Sequence, residues 1–255
     1  MAELGVSQRV EHEREFYNRT SGASKYRLLR RVIWRAIGEF NRHDEVESMF
    51  DPRGKAVLQY GCGPGIGVES LLARGAVHVT GIDISEEEIG RAREKARSGG
   101  YADRVDFQAA DAHHTDFTDD SFDLIVGHSI LHHLDMPVAL RELRRLLRPG
   151  GRAVFLEPLA ANPLLRLGRR LTPGARTDDE HPLTVADWQI CAGIFERFSH
   201  VEVELLSIPL MPLNLLVPRR LQRPFARAVA RVDDALLRRF PGLAPYARLT
   251  FLVLE

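Results

Sequence analysis

Short apolar runs alternate with amphipathic stretches along most of the chain, and this alternation predicts an α/β fold. Residues 56–58 and 77–84 are apolar runs that predict buried strands, and residues 68–74 between them have helical spacing. Further strands are predicted at residues 105–109, 121–128, 152–156, 201–208 and 248–254. Strands that alternate with helices in this way are typical of βαβ units in a mostly parallel sheet.

Several predicted helices begin with capping residues. Serine, asparagine and threonine side chains accept hydrogen bonds from the free N–H groups of a first helical turn. Such residues stand at Ser85, with Glu88 three residues on, at Asn162, followed by proline, and at Thr184, with Asp187 three residues on. Helical periodicity also marks residues 28–40, 137–147 and 219–239, the last of which is rich in arginine.

A glycine-dense turn joins the first two predicted strands. Gly61, Gly63 and Gly65 follow the first strand, and Asp83 ends the second. Glycines let the backbone approach a ligand without an intervening Cβ, and an acid at the end of the second strand is placed to accept hydrogen bonds from ribose hydroxyls. Strand, glycine turn, helix, strand and acid together predict a nucleotide-binding unit.

The spacing of these glycines does not match the dinucleotide fingerprint. That fingerprint requires G-x-G-x-x-G. Counted from Gly61 the third glycine is replaced by Ile66, and counted from Gly63 it is replaced by Val68. The turn has the spacing G-x-G-x-G instead, so the sequence predicts a nucleotide other than a dinucleotide.

Composition narrows the classes of function. The 255 residues include 35 basic and 35 acidic side chains, so no overall field draws the protein toward nucleic acid. Cys62 and Cys191 make no disulfide framework, and no cysteine–histidine spacing suggests zinc, so no metal is expected. The chain shows no signal peptide and no apolar run of membrane-spanning length, which predicts a cytoplasmic protein without stable membrane association.

The motifs as a group resemble one enzyme family. The sequence GCGPG follows the first strand, FDLIVGHSILHHL occupies residues 122–134, and LRRLLRPGGRAVFLEP occupies residues 143–158. Residues 56–158 thereby resemble the class I S-adenosylmethionine-dependent methyltransferases, and among them the methyltransferase type 11 group. The resemblance implies a Rossmann-like, seven-stranded, mostly parallel sheet whose last strand is antiparallel, and S-adenosylmethionine as the cofactor.

The resemblance also assigns residues to the cofactor. Asp83 would bind the ribose, Asp111 the adenine amino group, and His128 would lie near the methionine part. Tyr17 would pack on the sulfonium, where an aromatic face favours a cation; the alternative is that it only anchors a helix to the core. The full predicted set is Tyr17, Gln59, Gly61, Cys62, Gly63, Gly65, Asp83, Ile84, Asp111, Ala112 and His128.

Gln59 departs from the family pattern. The strand before the glycines usually ends in an acid, two residues ahead of the first glycine, and this acid attracts the cofactor's ammonium group. Glutamine keeps the hydrogen-bonding reach but loses the charge. We therefore expect modest cofactor affinity or compensation by another acid, and tighter binding in a Gln59→Asp variant.

The resemblance implies one methyltransferase domain over residues 1–255, with four parts. Residues 1–50 would form an N-terminal helical cap and residues 51–158 the cofactor-binding core. Residues 159–199 would form a lid over the acceptor, and residues 200–255 the C-terminal strands with a helical insert. Helical inserts of this kind are where the family builds its substrate pockets.

The implied reaction is methyl transfer from S-adenosylmethionine to oxygen or carbon of a small, lipophilic metabolite. A positioned base would assist an acceptor that must lose a proton. The candidates are Glu157 at the end of the fifth strand, His132 and His133 after the fourth, and His181 in the lid. Each also has a purely structural interpretation, and adjacent His132 and His133 cannot both face the acceptor.

Three alternatives stay open. The protein could keep the fold and bind the cofactor while performing other chemistry or regulation. The arginines of the lid could instead bind a prenyl diphosphate that is methylated on carbon; they are Arg166, Arg169, Arg170 and Arg176. The basic helix at residues 219–239 could cover the pocket or bind an anionic membrane.

Residues 127–130 lack the N/D-P-P-Y/F tetrad of enzymes that methylate adenine or glutamine nitrogens, which argues against nucleic-acid or protein amide targets.

Overall fold

A computed structural model describes residues 10–16, 38–172 and 180–255. Within these ranges seven strands form one sheet in the order β3-β2-β1-β4-β5-β7-β6. The strands are β1 (Ala56–Tyr60), β2 (His78–Asp83), β3 (Val105–Ala109), β4 (Phe122–His128), β5 (Leu147–Pro158), β6 (Phe198–Val203) and β7 (Leu249–Leu254).

The pairing directions confirm the predicted fold class. Strands β3, β2, β1, β4 and β5 pair in parallel. Strand β7 pairs antiparallel with both β5 and β6. The chain order reverses between β1 and β4, and the crevice at the carboxyl ends of strands at such a switch point is where open α/β sheets bind ligands.

Helices connect the strands and cover both faces of the sheet. We label them α1 (Val68–Ala73), α2 (Glu86–Gly99), α3 (Met136–Leu146), α4 (Pro163–Leu171), α5 (Val185–Ile194), α6 (Ser207–Asn214) and α7 (Arg219–Arg239). Residues 10–16 are also helical. Short 3₁₀ turns occur at Gly38–Phe40, His43–Met49, Ala102–Arg104, Leu131–His133 and Pro241–Tyr246. None of the helices in these ranges is long and apolar enough to span a membrane.

Two apolar layers sandwich the sheet. One layer contains Leu58, Tyr60 and Phe155 and packs against α3 and α5. The other contains Val57, Val126 and the buried side of α2. Strands buried on both faces must be apolar throughout, which explains why they appear in the sequence as continuous apolar runs.

The predicted helix caps are present. Ser85 Oγ accepts the backbone N–H of Glu88, and Asn162 Oδ1 accepts those of Leu164 and Leu165. At the third site the backbone N–H and the hydroxyl of Thr184 both donate to Asp187 Oδ2. These caps depend only on residues within three positions of one another, so the sequence could predict them.

The sixth strand was predicted too long. Residues 201–208 were expected to be extended, but β6 ends at Val203 and residues 207–214 form helix α6. Glu204 has a left-handed backbone conformation, with φ of 69°, which ends the strand. Its carboxylate accepts hydrogen bonds from the backbone N–H of Arg42 and from Arg248 Nε, so distant parts of the chain stabilise this break.

Candidate functional site

The glycine turn between β1 and α1 requires left-handed backbone at its first glycine. Gly61 has φ of 70°, and a Cβ there would lie 2.8 Å from Cγ1 of Ile130. A side chain at this position would therefore be both conformationally strained and in steric conflict. The turn from β1 can pass this closely under the β4 turn only with glycine at position 61.

Asp83 holds the turn in place from the end of β2. Its Oδ2 accepts the backbone N–H of Gly63 at 2.8 Å, and its Oδ1 accepts the N–H of Ser85 at 3.0 Å. Burial raises the pKa of Asp83 above its usual value, although these two N–H groups counteract the shift. Asp83 therefore links the glycine turn to the N-terminus of α2, and its carboxylate also lines a cavity.

That cavity has a volume of about 590 Å³ and opens at the carboxyl ends of β1, β2, β3 and β4. Its size is typical of small-molecule and cofactor sites. It brings together eight of the residues predicted from the sequence, namely Gly61, Gly63, Asp83, Ile84, Asp111, Ala112, His128 and His133.

Three other predicted cofactor residues do not line this cavity. Gln59 is buried at the end of β1, and its Nε2 donates to the backbone oxygen of Ile66 at 2.5 Å. Cys62 is buried beneath the turn, and burial raises the pKa of its thiol well above the usual value. Gly65 packs against α2 and β3, where a Cβ would touch Ala92. Tyr17 lies outside the described residues.

Gln59 therefore has a contact that the sequence did not predict. Its amide spans the glycine turn to the carbonyl of Ile66, a residue that lines the cavity. The carbonyl oxygen Oε1 of Gln59 is buried without a hydrogen-bond partner among the described residues. An aspartate at this position could not donate to Ile66, so the glutamine fixes the shape of the turn as well as filling the position of the usual acid.

Asp111 is fixed by a histidine that the sequence analysis did not select. Its Oδ1 accepts the backbone N–H of His113 at 2.9 Å and contacts His113 Nδ1 at 2.7 Å. His113 Nε2 in turn accepts the backbone N–H of Asp135 at 2.9 Å. Because Nε2 acts as an acceptor, Nδ1 must carry the proton, so a neutral imidazole donates to Asp111.

These bonds set the charge of Asp111. Burial raises the pKa of this carboxyl, but the hydrogen bonds from His113 outweigh burial and leave the pKa below its usual value. Asp111 therefore remains an anionic acceptor at neutral pH. The local signal was the spacing Asp111-x-His113, but the contact with Asp135 joins positions 22 residues apart and could not be inferred from spacing.

Glu157 lies under the turn that follows β4. It is fully buried; its Oε1 accepts the backbone N–H groups of Ile130 and Leu131, and its Oε2 contacts His132 Nδ1 at 2.7 Å. It is absent from the cavity lining. The structure thus places this candidate base where it orients the histidine turn, one layer behind the cavity.

His133 is the candidate base that reaches the cavity. Its Nδ1 lies 3.2 Å from Glu13 Oε1, and both residues line the cavity. Burial lowers the pKa of His133, but Glu13, and to a smaller extent Glu180 and Glu157, raise it overall. The His132 ring packs beside it, with 4.1 Å between the ring centroids and an angle of 40° between the ring planes. Glu13 was not predicted, because it meets His133 across 120 positions of sequence.

The other two histidines that were predicted as site residues, His128 and His181, lie in different surroundings. His128 lines the cavity at the end of β4, where its side chain is exposed; partial desolvation by the surrounding protein lowers its pKa despite the opposing charges of Glu157 and Glu47. His181 is exposed and does not line the cavity, but its backbone N–H donates to the oxygen of His132 at 3.0 Å. His181 therefore contacts the site through its main chain.

The sheet order, the glycine turn, Asp83 at the end of β2 and Asp111 just after β3 agree with the resemblance to the class I S-adenosylmethionine-dependent methyltransferases. Residues 58–155 match the family model described as a methyltransferase domain. Over that core the chain is similar to this family, as its sequence predicted, and the cofactor of the family is S-adenosylmethionine.

Curated relatives match over the same core. The chain is 42% identical over 105 residues to methyltransferase GfsG of Streptomyces halstedii, covering 41% of this chain and 38% of that protein. It is 40% identical over 111 residues to a ubiquinone biosynthesis O-methyltransferase of Aeromonas salmonicida (strain A449), covering 43% and 45%. C-methyltransferases are also among the matches. The chain thus spans less than half the length of these two relatives.

Solved structures extend the similarity to most of the fold. The match to the crystal structure of the [4+2]-cyclase SpnF covers 83% of this chain and 79% of the SpnF chain, with a TM-score of 0.53 and 22% sequence identity. At this identity the likeness concerns the fold alone. A shared fold does not imply shared chemistry, so the reaction has to be inferred from the residues of the site.

Proposed function

We propose that this protein transfers a methyl group from S-adenosylmethionine to an oxygen or carbon atom of a small acceptor. One observation carries the proposal. A single cavity joins the glycine turn, Asp83 and Asp111 to a histidine that is held by a buried carboxylate. Such a site combines nucleotide recognition with a proton acceptor.

The residues present suit this cofactor. Asp83 can accept ribose hydroxyls, since its carboxylate lines the cavity and is anchored by backbone N–H groups. Asp111 is the anionic acceptor for the adenine amino group at the end of β3. His128 and Ser129 line the cavity at the end of β4, on the side proposed for the methionine part. S-adenosylmethionine supplies an electrophilic methyl group on a sulfonium.

His133 is the proposed general base. It lines the cavity, and the Nδ1 contact with Glu13 orients its ring. A base within reach of the acceptor proton contributes about 10²–10⁴-fold to rate. Glu157 is a positioning residue in this scheme, because it binds the two backbone N–H groups that shape the Leu131–His133 turn. His132, which Glu157 holds, packs in turn against the ring of His133.

A lipophilic acceptor agrees with the cavity wall near His133. Val10, Ile130 and Leu134 line this part of the cavity, and apolar walls bind ligands largely through the area that they remove from water. The lid arginines that the structure describes do not line the cavity, and Arg166 and Arg170 are exposed on α4. We therefore favour a lipophilic acceptor over a diphosphate.

Two measurements test the proposal. Calorimetry should show S-adenosylmethionine binding that is weakened at least tenfold in Asp83→Ala and unchanged in Asp106→Ala, whose carboxylate is exposed on β3 away from the cavity. Radiolabelled cofactor should then label a phenol, polyketide or acid acceptor. Prenyl diphosphates belong in the same panel, and turnover of those alone would refute the proposed acceptor class.

A second candidate is a protein that binds the cofactor but catalyses another reaction. The observation that favours it is Gln59, a neutral amide at the position of the acid that usually attracts the cofactor's ammonium group. Mass spectrometry of products separates the two candidates, because methyl transfer adds one carbon and two hydrogens to the acceptor whereas a cyclisation leaves its mass unchanged. Cofactor binding without any gain in acceptor mass across the panel would favour the second candidate.

A further inference from the structure

Three side chains with metal-binding chemistry converge beside the cavity. His132 and His133 come from the Leu131–His133 turn, and Glu180 comes from the segment before α5. One ring nitrogen of each histidine and one oxygen of Glu180 lie within 4.8 Å of one another. His132 Nε2 lies 3.9 Å from Glu180 Oε1.

Both histidines are oriented by carboxylates behind them. His132 Nδ1 lies 2.7 Å from Glu157 Oε2, and His133 Nδ1 lies 3.2 Å from Glu13 Oε1. Metal-ligating histidines almost always bond their other ring nitrogen to a carboxylate or carbonyl, which fixes the tautomer and raises ligand basicity. This outer arrangement is independent of the distances within the cluster itself.

The charge of the cluster also favours a cation. Three carboxylates (Glu13, Glu157 and Glu180) accompany two imidazoles. Glu157 is 0% exposed, His132 4%, Glu13 6% and His133 8%. The three carboxylates carry more negative charge than the two imidazoles can balance, even when both imidazoles are protonated. Buried charge is costly unless it is compensated, so a bound cation would stabilise this cluster.

We propose that His132, His133 and Glu180 bind a divalent transition-metal ion, with zinc as the representative. Two histidines and one carboxylate are the ligand set of open, catalytic zinc sites, in which a further position is left for water or substrate. Bond lengths of about 2.0–2.2 Å would draw the three ligand atoms together from their present spacing. No metal was expected from the sequence, because no cysteine–histidine spacing suggests zinc. The structure brings Glu180 beside His132 and His133, which are distant from it in the chain.

The placement of the site suggests its use. His133 lines the cavity, so an ion bound to it would meet an acceptor hydroxyl and lower the pKa of that hydroxyl. With the ion bound, both ring nitrogens of His133 are occupied, and the ion takes the place of the imidazole as the group that activates the acceptor. This use rests on the proposed methyl transfer, whereas binding of the ion does not. The two can therefore fail separately.

Metal binding can be measured without turnover. The full chain is treated with a chelator, dialysed and titrated with Zn²⁺ by calorimetry, and Co²⁺ is added in parallel to record the visible bands of the bound ion. One equivalent should bind, and Glu180→Gln and His133→Gln should each weaken binding about tenfold or more. Glu196→Gln and His114→Gln are the matched controls, since both side chains are exposed and lie outside the cluster.

Circular dichroism and thermal melting establish that each variant is folded. Absence of a stoichiometric Zn²⁺ or Co²⁺ signal in folded wild type would overturn the metal site and leave the five groups as a proton-sharing network. Equal loss in Glu196→Gln would overturn it as well. A bound ion together with no binding of S-adenosylmethionine would refute the proposed function while supporting the site.

Discussion

A substitution in the glycine turn and one outside it can together separate backbone strain from steric conflict, because the two glycines have similar φ angles but lie in different surroundings. Gly61 has φ of 70° and Gly100, at the end of α2, has φ of 72°. A Cβ at Gly61 would lie 2.8–3.0 Å from three atoms of Ile130, whereas a Cβ at Gly100 would have no neighbour within 4 Å. Gly100→Ala therefore measures backbone strain alone, and Gly61→Ala measures strain plus steric conflict.

The expected magnitudes follow from these two contributions. A left-handed conformation costs an alanine about 1–2 kcal/mol relative to glycine, which is the whole loss expected for Gly100→Ala. Overpacking a close contact adds roughly 1–3 kcal/mol. Gly61→Ala should therefore lose about 2–5 kcal/mol. The excess arises at Ile130, whose N–H is held by Glu157 and which cannot move freely.

Urea unfolding of the cofactor-free proteins measures both losses by linear extrapolation. Ile130 also lines the cavity, so Gly61→Ala should weaken S-adenosylmethionine binding, and Gly100→Ala should leave it unchanged. Equal losses of stability in the two variants would show that Ile130 yields without cost. The account of the close turn would then be wrong.

Three further predictions concern buried polar groups. Gln59→Asp should weaken rather than tighten cofactor binding, because aspartate cannot donate to the carbonyl of Ile66; calorimetry showing tighter binding would restore the expectation from sequence. His113→Ala should raise the pKa of Asp111, so that cofactor binding is lost at a higher pH on acidification than in wild type. Asp233 accepts the N–H of Leu206, and burial raises its pKa to about 6. The folded state then holds this proton more tightly than the unfolded state, so stability from this group is full below the unfolded pKa and is lost as pH rises through about 6. Asp233→Asn should gain about 1.5 kcal/mol relative to wild type between pH 5 and pH 8 in urea unfolding, and a constant difference would contradict the shift.

Local features of the fold could be predicted from the sequence. The glycine turn, Asp83 and the caps at Ser85, Asn162 and Thr184 each depend on residues that are close in sequence or on one βαβ unit. The cofactor followed from the same stretch by family resemblance. These features were accessible because spacing along the chain fixes spacing in a strand, a turn or the first turn of a helix.

Contacts between distant segments could not be predicted in this way. His133 was selected as a candidate base, but Glu13 behind it lies 120 positions away. Glu157 was selected for its place at the end of β5. Only the fold shows that its Oε1 accepts two main-chain N–H groups of the turn after β4 and that its Oε2 contacts His132. The break at Glu204 likewise depends on Arg42 and Arg248, which no periodicity around residue 204 reveals.

The attachment of the histidine turn to Glu157 has a consequence for engineering. The turn is fastened to β5, a central strand paired on both sides, and not to the helical segments α4, α6 and α7. Those segments should therefore be exchangeable with their counterparts from related proteins without moving the histidines. Chimaeras that replace only α4, α6 and α7, and keep Glu180 and His181 beside the histidine turn, should alter acceptor preference without disturbing the histidines.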